Sequence, residues 1–158
     1  MIQVSIIIRT YNESAHIPEL LQGIIGQKID QNGLEIIVVD SGSTDDTVKI
    51  AKRFGVRIMQ IKKDEFSFGR SLNVGCAAAR GEKLVFVSGH CVPASPDWLA
   101  QLIDPLGKEQ VVYSYGRQMG NGQSCLSECQ IFEKYFPQDS RIPQDGFYCN
   151  NANSALLK

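Results

Sequence analysis

The stretch Ile36-Ile37-Val38-Val39-Asp40-Ser41-Gly42-Ser43-Thr44-Asp45-Asp46-Thr47 decides the fold. A β-branched apolar run stops at a carboxylate, turns through a glycine and opens a helix. The run reads as a buried strand, with Asp40 at its carboxyl end. In an open parallel sheet, ligands bind in the crevice beyond the strand ends. A carboxylate there accepts hydrogen bonds from a base or a ribose, and Ser43 or Thr44 is expected to cap the helix. By itself this stretch points to a nucleotide site.

Working outward, Val4 to Ile8 is a second β-branched run. Asn12-Glu13-Ser14 offers capping residues before Ile17, Leu20, Leu21, Ile24 and Ile25, which recur at helical spacing. Asn32-Gly33 breaks the chain ahead of the strand Glu35 to Val39. Thr47 to Phe54 is predicted as a helix, closed by Gly55. Val56 to Ile61 follows as a strand, then a polar and aromatic loop, Lys62 to Phe68. A helix of small residues from Gly69 to Ala79 is expected to lie close on the sheet through Gly75 and its alanines. Lys83 to Val87 is the fourth strand. Pro93 to Pro96 starts a helix carrying Trp98, Leu99, Leu102 and Ile103, and Val111 to Tyr115 is the fifth strand. Beyond Gly116 the signals weaken to a helix over Leu126 to Phe136 and a polar loop over Pro137 to Tyr148. Strand and helix alternate with short connections, so the expected class is α/β, a mainly parallel sheet flanked by helices.

Bulk properties narrow the function. The chain has 158 residues, enough for one domain, with 43% hydrophobic and 21% charged residues. A net charge of −1 argues against a nucleic-acid partner, which calls for a basic face. No apolar run approaches the roughly 20 residues that span a bilayer. The expected location is the cytoplasm, at most peripheral at the inner face of the membrane. The five cysteines form no close-set pairs and read as thiols in a reducing compartment.

Arg9-Thr10-Tyr11-Asn12-Glu13 lies at the tip of the first strand, beside Asp40 on the second. Here the sequence resembles the amino-terminal half of family-two glycosyltransferases of the GT-A fold, Rossmann-like nucleotide-sugar-binding domains. The resemblance rests on Val4 to Glu13 and Ile36 to Thr47. Gly69-Arg70-Ser71-Leu72-Asn73-Val74-Gly75, Ala79-Arg80-Gly81-Glu82 and Leu84 to Val87 continue it in order. It covers residues 2 to 115 and implies transfer of a sugar from a nucleotide-sugar donor, a UDP-sugar, to a glycan or lipid-linked acceptor hydroxyl with inversion. It also implies that Thr10, Tyr11 and Glu13, with Asn12, line the base and ribose pocket together with Asp40 and Ser43. Arg70 and Asn73 would lie near the nucleotide or its phosphates, where a guanidinium suits a diphosphate.

One departure stands out. The family places an Asp-x-Asp at the fourth strand tip to hold a divalent cation, Mn²⁺ or Mg²⁺. Here Ser88-Gly89-His90-Cys91-Val92-Pro93 occupies that place, so the hard oxygen site lacks its carboxylates. Three readings stay open. His90 ligates a metal, or it touches the diphosphate directly beside Ser88 and Gly89, or the site does not turn over. Nucleophilic catalysis by a His90-Cys91 pair lacks an orienting acid in the sequence. No glycine-rich basic loop follows the first strand to hold a triphosphate, which disfavours a sugar nucleotidyltransferase. No catalytic base is assigned: Glu133, Asp139 and Asp145 match no motif, and Asn150 to Ala155 resembles the segment preceding the acceptor region. The chain is thus expected to be a single GT-A domain, residues 1–158, incomplete at its carboxyl end. The alternative function is a nucleotide-sugar-binding module without turnover.

Overall fold

In the computed structural model, residues 1–108, 110–120, 124–136, 138–140 and 150–158 are described. The predicted loop over Pro137 to Tyr148, and with it Asp145, falls largely outside them. The strands are β1 (Val4–Thr10), β2 (Leu34–Asp40), β3 (Arg57–Gln60), β4 (Lys83–Ser88), β5 (Tyr113–Tyr115) and β6 (Asn153–Leu157). The helices are α1 (Ile17–Ile25), α2 (Thr47–Arg53), α3 (Phe68–Ala78), α4 (Trp98–Ile103) and α5 (Leu126–Tyr135). Gly55, at φ +69°, follows α2 in the left-handed conformation expected of a helix-ending glycine. Among the described residues no helix is long and apolar enough to cross a membrane.

The strands form one sheet in the order β3-β2-β1-β4-β6-β5. The first four run parallel, and β6 joins antiparallel to both β4 and β5. Because β1, β2 and β4 are covered on both faces, their sequences are continuous apolar runs rather than alternating ones. On one face Ile6, Ile8, Val38 and Val85 pack with Leu20, Leu21, Ile24 and Leu99. On the other, Ile7, Ile37, Val39, Leu84 and Phe86 lie beneath α3.

Two expectations are corrected. The reading of Asn150 to Ala155 as a polar segment overlooked a strand, since β6 inserts between β4 and β5. The fifth strand is shorter than Val111 to Tyr115 and is an antiparallel edge. Both corrections have one cause: the chain returns to the sheet through pairings that no local pattern encodes.

The close seat of α3 depends on Gly75. A Cβ there would overlap Ile7 Cγ2 and press on Ile7 Cγ1 and Val39 Cγ2, each at 3.3 Å. Gly75→Ala is expected to destabilise the fold by about 1–3 kcal/mol through overpacking, despite alanine's better helix propensity. Urea denaturation checks this, and an unchanged or higher midpoint would refute it.

Candidate functional site

The carboxyl ends of β1, β2 and β4 meet at one end of the sheet. In the β1–β2 register Thr10 lies opposite Asp40, and in the β1–β4 register Arg9 lies opposite Ser88. Asp40 is fully buried. Its Oδ2 accepts from the backbone N–H groups of Gly42 at 3.1 Å and Ser43 at 3.0 Å. Its Oδ1 accepts from the Ser43 hydroxyl and, more weakly at 3.3 Å, from Thr10 Oγ1. Gly42, at φ +85°, makes the turn possible, and the start of the post-β3 segment packs against it at Lys63.

A second bracket ties β1's end to that turn. Asn12, left-handed at φ +55°, donates its N–H to Ser43 Oγ at 2.9 Å and accepts from Thr44 N at 2.8 Å through Oδ1. Glu13 N donates to the buried Thr47 hydroxyl at 2.7 Å, and Ser14 N to Asp45 Oδ2 at 3.0 Å. Burial opposes the charge on Asp45, but its bonds from Thr47 and Ser14 prevail and hold its pKa below the ordinary carboxylate range.

These bonds displace the expected caps. α1 starts at Ile17 behind His16 with no side-chain cap, and α2 starts at Thr47 behind Asp46, also uncapped. The Asn12, Ser43 and Thr44 side chains bond across to the other turn instead, because the parallel pairing brings the two strand ends within hydrogen-bonding reach.

Around this knot stand exposed groups. The Tyr11 ring is 41% exposed and carries the Lys63 ammonium 5.1 Å from its centre. Arg70 and Asn73 are exposed on α3 and line an open depression with Glu65, Ser67 and Gly69. Arg70 is paired with Glu65 at 3.1 Å. Gly89 wedges β4's end against β1: its N–H donates to Arg9 O at 2.9 Å, and a Cβ would stand 3.0 Å from Arg9 O and Thr10 Cγ2. The structure therefore brings together Thr10, Asn12, Glu13, Asp40, Ser43, Ser88, Gly89 and His90, with Tyr11 at the rim. Arg70 and Asn73 occupy the neighbouring α3 surface.

The family profile described as glycosyl transferase family 2 matches residues 5–143. The chain belongs to glycosyl transferase family 2. It is 32% identical over 91 residues to the poly(ribitol-phosphate) β-N-acetylglucosaminyltransferase TarS of Staphylococcus aureus, covering 55% of this chain and 16% of that protein. It is 32% identical over 100 residues to the glycosyltransferase AglE of Haloferax volcanii, covering 61% of this chain and 33% of AglE. Among solved structures, the mannosyltransferase PcManGT of Pyrobaculum calidifontis, in complex with GDP-Man and Mn²⁺, superposes with a TM-score of 0.66 at 27% identity. That match covers 75% of this chain and 36% of that one. S. aureus TarS superposes at 0.69 with 24% identity, covering 78% of this chain and 38% of that one, which supports the GT-A fold. The chain thus spans well under half the length of these relatives.

The PcManGT complex contains GDP-Man and Mn²⁺, and such an ion calls for a set of hard oxygen donors. His90 Nδ1 lies 3.0 Å from Glu13 Oε1, and no group of three His, Cys, Asp or Glu side chains assembles among the described residues. One imidazole and one carboxylate, already bonded to each other, do not fit a hard cation that takes six or more oxygens. Glu13 does supply His90 with the orienting acid that the sequence did not reveal. The neighbouring Cys91 is nevertheless no activated nucleophile, because burial above all pushes its thiol pKa up.

Two groups escaped the sequence reading: Lys63, which covers Tyr11, and Arg9, whose guanidinium lies over the Phe68 ring at the start of α3. Neither sits in a pattern that local spacing marks.

Proposed function

We propose that this family-two chain binds the nucleotide of a sugar donor, a UDP-sugar, across the ends of β1 and β2, for inverting transfer to a glycan or lipid-linked hydroxyl. One observation carries the reading: two adjacent parallel strand ends are locked together by Asp40 and Asn12, beneath the exposed Tyr11 ring. Such a crevice is where open parallel sheets take nucleotides. TarS and PcManGT, both glycosyltransferases, support the class of reaction. In this reading Thr10, Tyr11, Asn12 and Glu13 line the base and ribose pocket. Asp40 and Ser43 hold its floor, and Asp40 reaches a base by yielding Thr10, the longest of its four bonds. Arg70 exchanges Glu65 for a phosphate oxygen beside Asn73, and His90, set by Glu13, faces the donor near Ser88 and Gly89.

A thermal-shift panel of UDP, GDP and their sugars, each with and without Mn²⁺, tests the reading, since a ligand that binds only the folded state raises apparent stability. The expected result is a concentration-dependent rise with UDP and UDP-sugars. No shift with any nucleotide would refute it. The seryl and histidyl strand end favours a second reading, a nucleotide-sugar-binding module without turnover. Transfer or donor hydrolysis by this chain would discard it.

A further inference from the structure

We infer that the donor's diphosphate is seated on Arg9, with Ser88 beside it, and needs no protein-bound divalent ion; this rests on the nucleotide-sugar reading. The parallel register sets Arg9 directly across from Ser88 on the face of the sheet covered by α3. Neighbouring strands lie about 5 Å apart, so the two side chains rise side by side at the strand ends. This is the place where an acidic pair would hold a metal, and here it presents a cation and a hydroxyl.

Arg9 is also incomplete as it stands. Its guanidinium lies 5.0 Å from the centre of the Phe68 ring, the first residue of α3. Its Nε is buried without a hydrogen-bond partner, and it enters no ion pair among the described residues. A half-buried cation with an unpaired N–H is costly unless an anion completes it. The other buried side-chain atoms without a partner among the described residues are Asn150 Nδ2 and Ser154 Oγ. Asn150's amide orientation is decided, because its Oδ1 accepts from Gln118 Nε2 and Ala152 N, which leaves Nδ2 as the atom without a partner. Both residues belong to the strand end beside β4, where Ser88 N donates to Ala152 O at 3.3 Å. Unsatisfied polar atoms are rare in folded proteins, so the unpaired Nε of Arg9 calls for a partner that the described residues do not supply.

The ligand chemistry follows from the cation. A guanidinium binds a diphosphate through two parallel N–H···O bonds, and the amino-terminal end of α3 adds the favourable end of a helix dipole. Phe68, stacked on Arg9, keeps the fork from swinging into water.

Calorimetric titration tests this with whichever of UDP and GDP binds more tightly, and with the matching nucleoside. Wild type, Arg9→Gln and Arg9→Lys are compared in EDTA and in Mn²⁺. The wild type is expected to bind the nucleotide in EDTA within about threefold of its affinity in Mn²⁺. Arg9→Gln should lose about tenfold or more for the diphosphate while keeping the nucleoside affinity, and Arg9→Lys should recover part of the loss. Nucleotide binding that depends on Mn²⁺ would overturn the inference and leave the nucleotide site standing. Equal effects of Arg9→Gln on nucleotide and nucleoside, or no effect on either, would overturn it too. If Arg9→Gln does not fold, the same comparison is read from Arg9→Lys, whose diphosphate affinity must fall more than its nucleoside affinity. A wild type that binds no nucleotide or nucleoside refutes the site itself and this inference with it.

Discussion

Replacing Asp40 with alanine is expected to lower stability by about 2–4 kcal/mol and to abolish measurable nucleotide binding. The buried carboxylate accepts two backbone N–H groups and two hydroxyls, so alanine leaves the Gly42 and Ser43 amides unpaired inside the turn. Each unsatisfied buried donor costs about 1–3 kcal/mol. Asparagine separates two roles. Its oxygen can take the two amides while its NH₂ group donates to the hydroxyls of Thr10 and Ser43, which rotate to accept. Asp40→Asn should therefore unfold within about 1 kcal/mol of wild type. Its UDP affinity reports on the charge and on the Oδ1 acceptor that meets the base, apart from the loss of the turn. Calorimetry on both variants beside urea denaturation checks this. Wild-type UDP affinity in a folded Asp40→Ala protein would remove Asp40 from the site.

The second large effect lies at the opposite end of the sheet. Glu35 is 7% exposed at its side chain and binds Arg57 at 2.8 Å and Arg80 at 3.2 Å through Oε2. Its Oε1 accepts from Ser5 Oγ at 2.7 Å and Arg80 N at 2.6 Å, and Ser5 in turn accepts from Gly81 N. Burial works to raise the pKa of Glu35, but the bonds from Ser5, Arg80 and Arg57 prevail and hold it down to about 2, from an ordinary 4.5. The folded pKa lies below the unfolded one, so the unfolded chain takes up the proton first as pH falls. The stabilisation is complete above about pH 4.5 and is lost between there and pH 2. Such a shift corresponds to about 3 kcal/mol. Glu35→Gln should lose most of this at pH 7, and its deficit against wild type should narrow at pH 3 in urea denaturation. A deficit that does not change with pH would show that Glu35 acts by packing alone.

Much of the site was legible because its residues follow strands whose β-branched runs mark themselves. Thr10 to Glu13 and Asp40 to Ser43 sit where two such runs stop, and the parallel register brings those stops together. The roles within the turns were less legible. Asn12 and Ser43 are capping residues by type, yet their bonds run across to the other strand's turn. Arg9 could be placed at a strand end but not partnered, since Phe68 and Ser88 come from distant elements.

By itself, the sequence determined the alternation of strand and helix, the positions of the strand ends and the loss of the acidic pair at Ser88 to His90. These are local signals, written in apolar periodicity and in the residue type at one position. Only the tertiary structure decided that β6 slips between β4 and β5, that Asp40 is saturated by its own turn and Thr10, and that Arg9 stands across from Ser88 without an acid among the described residues. The physical reason is the same in each case. Which polar groups meet depends on strand register and on the return of distant chain. A half-polar strand such as Asn153-Ser154-Ala155 carries too little apolar pattern to announce either.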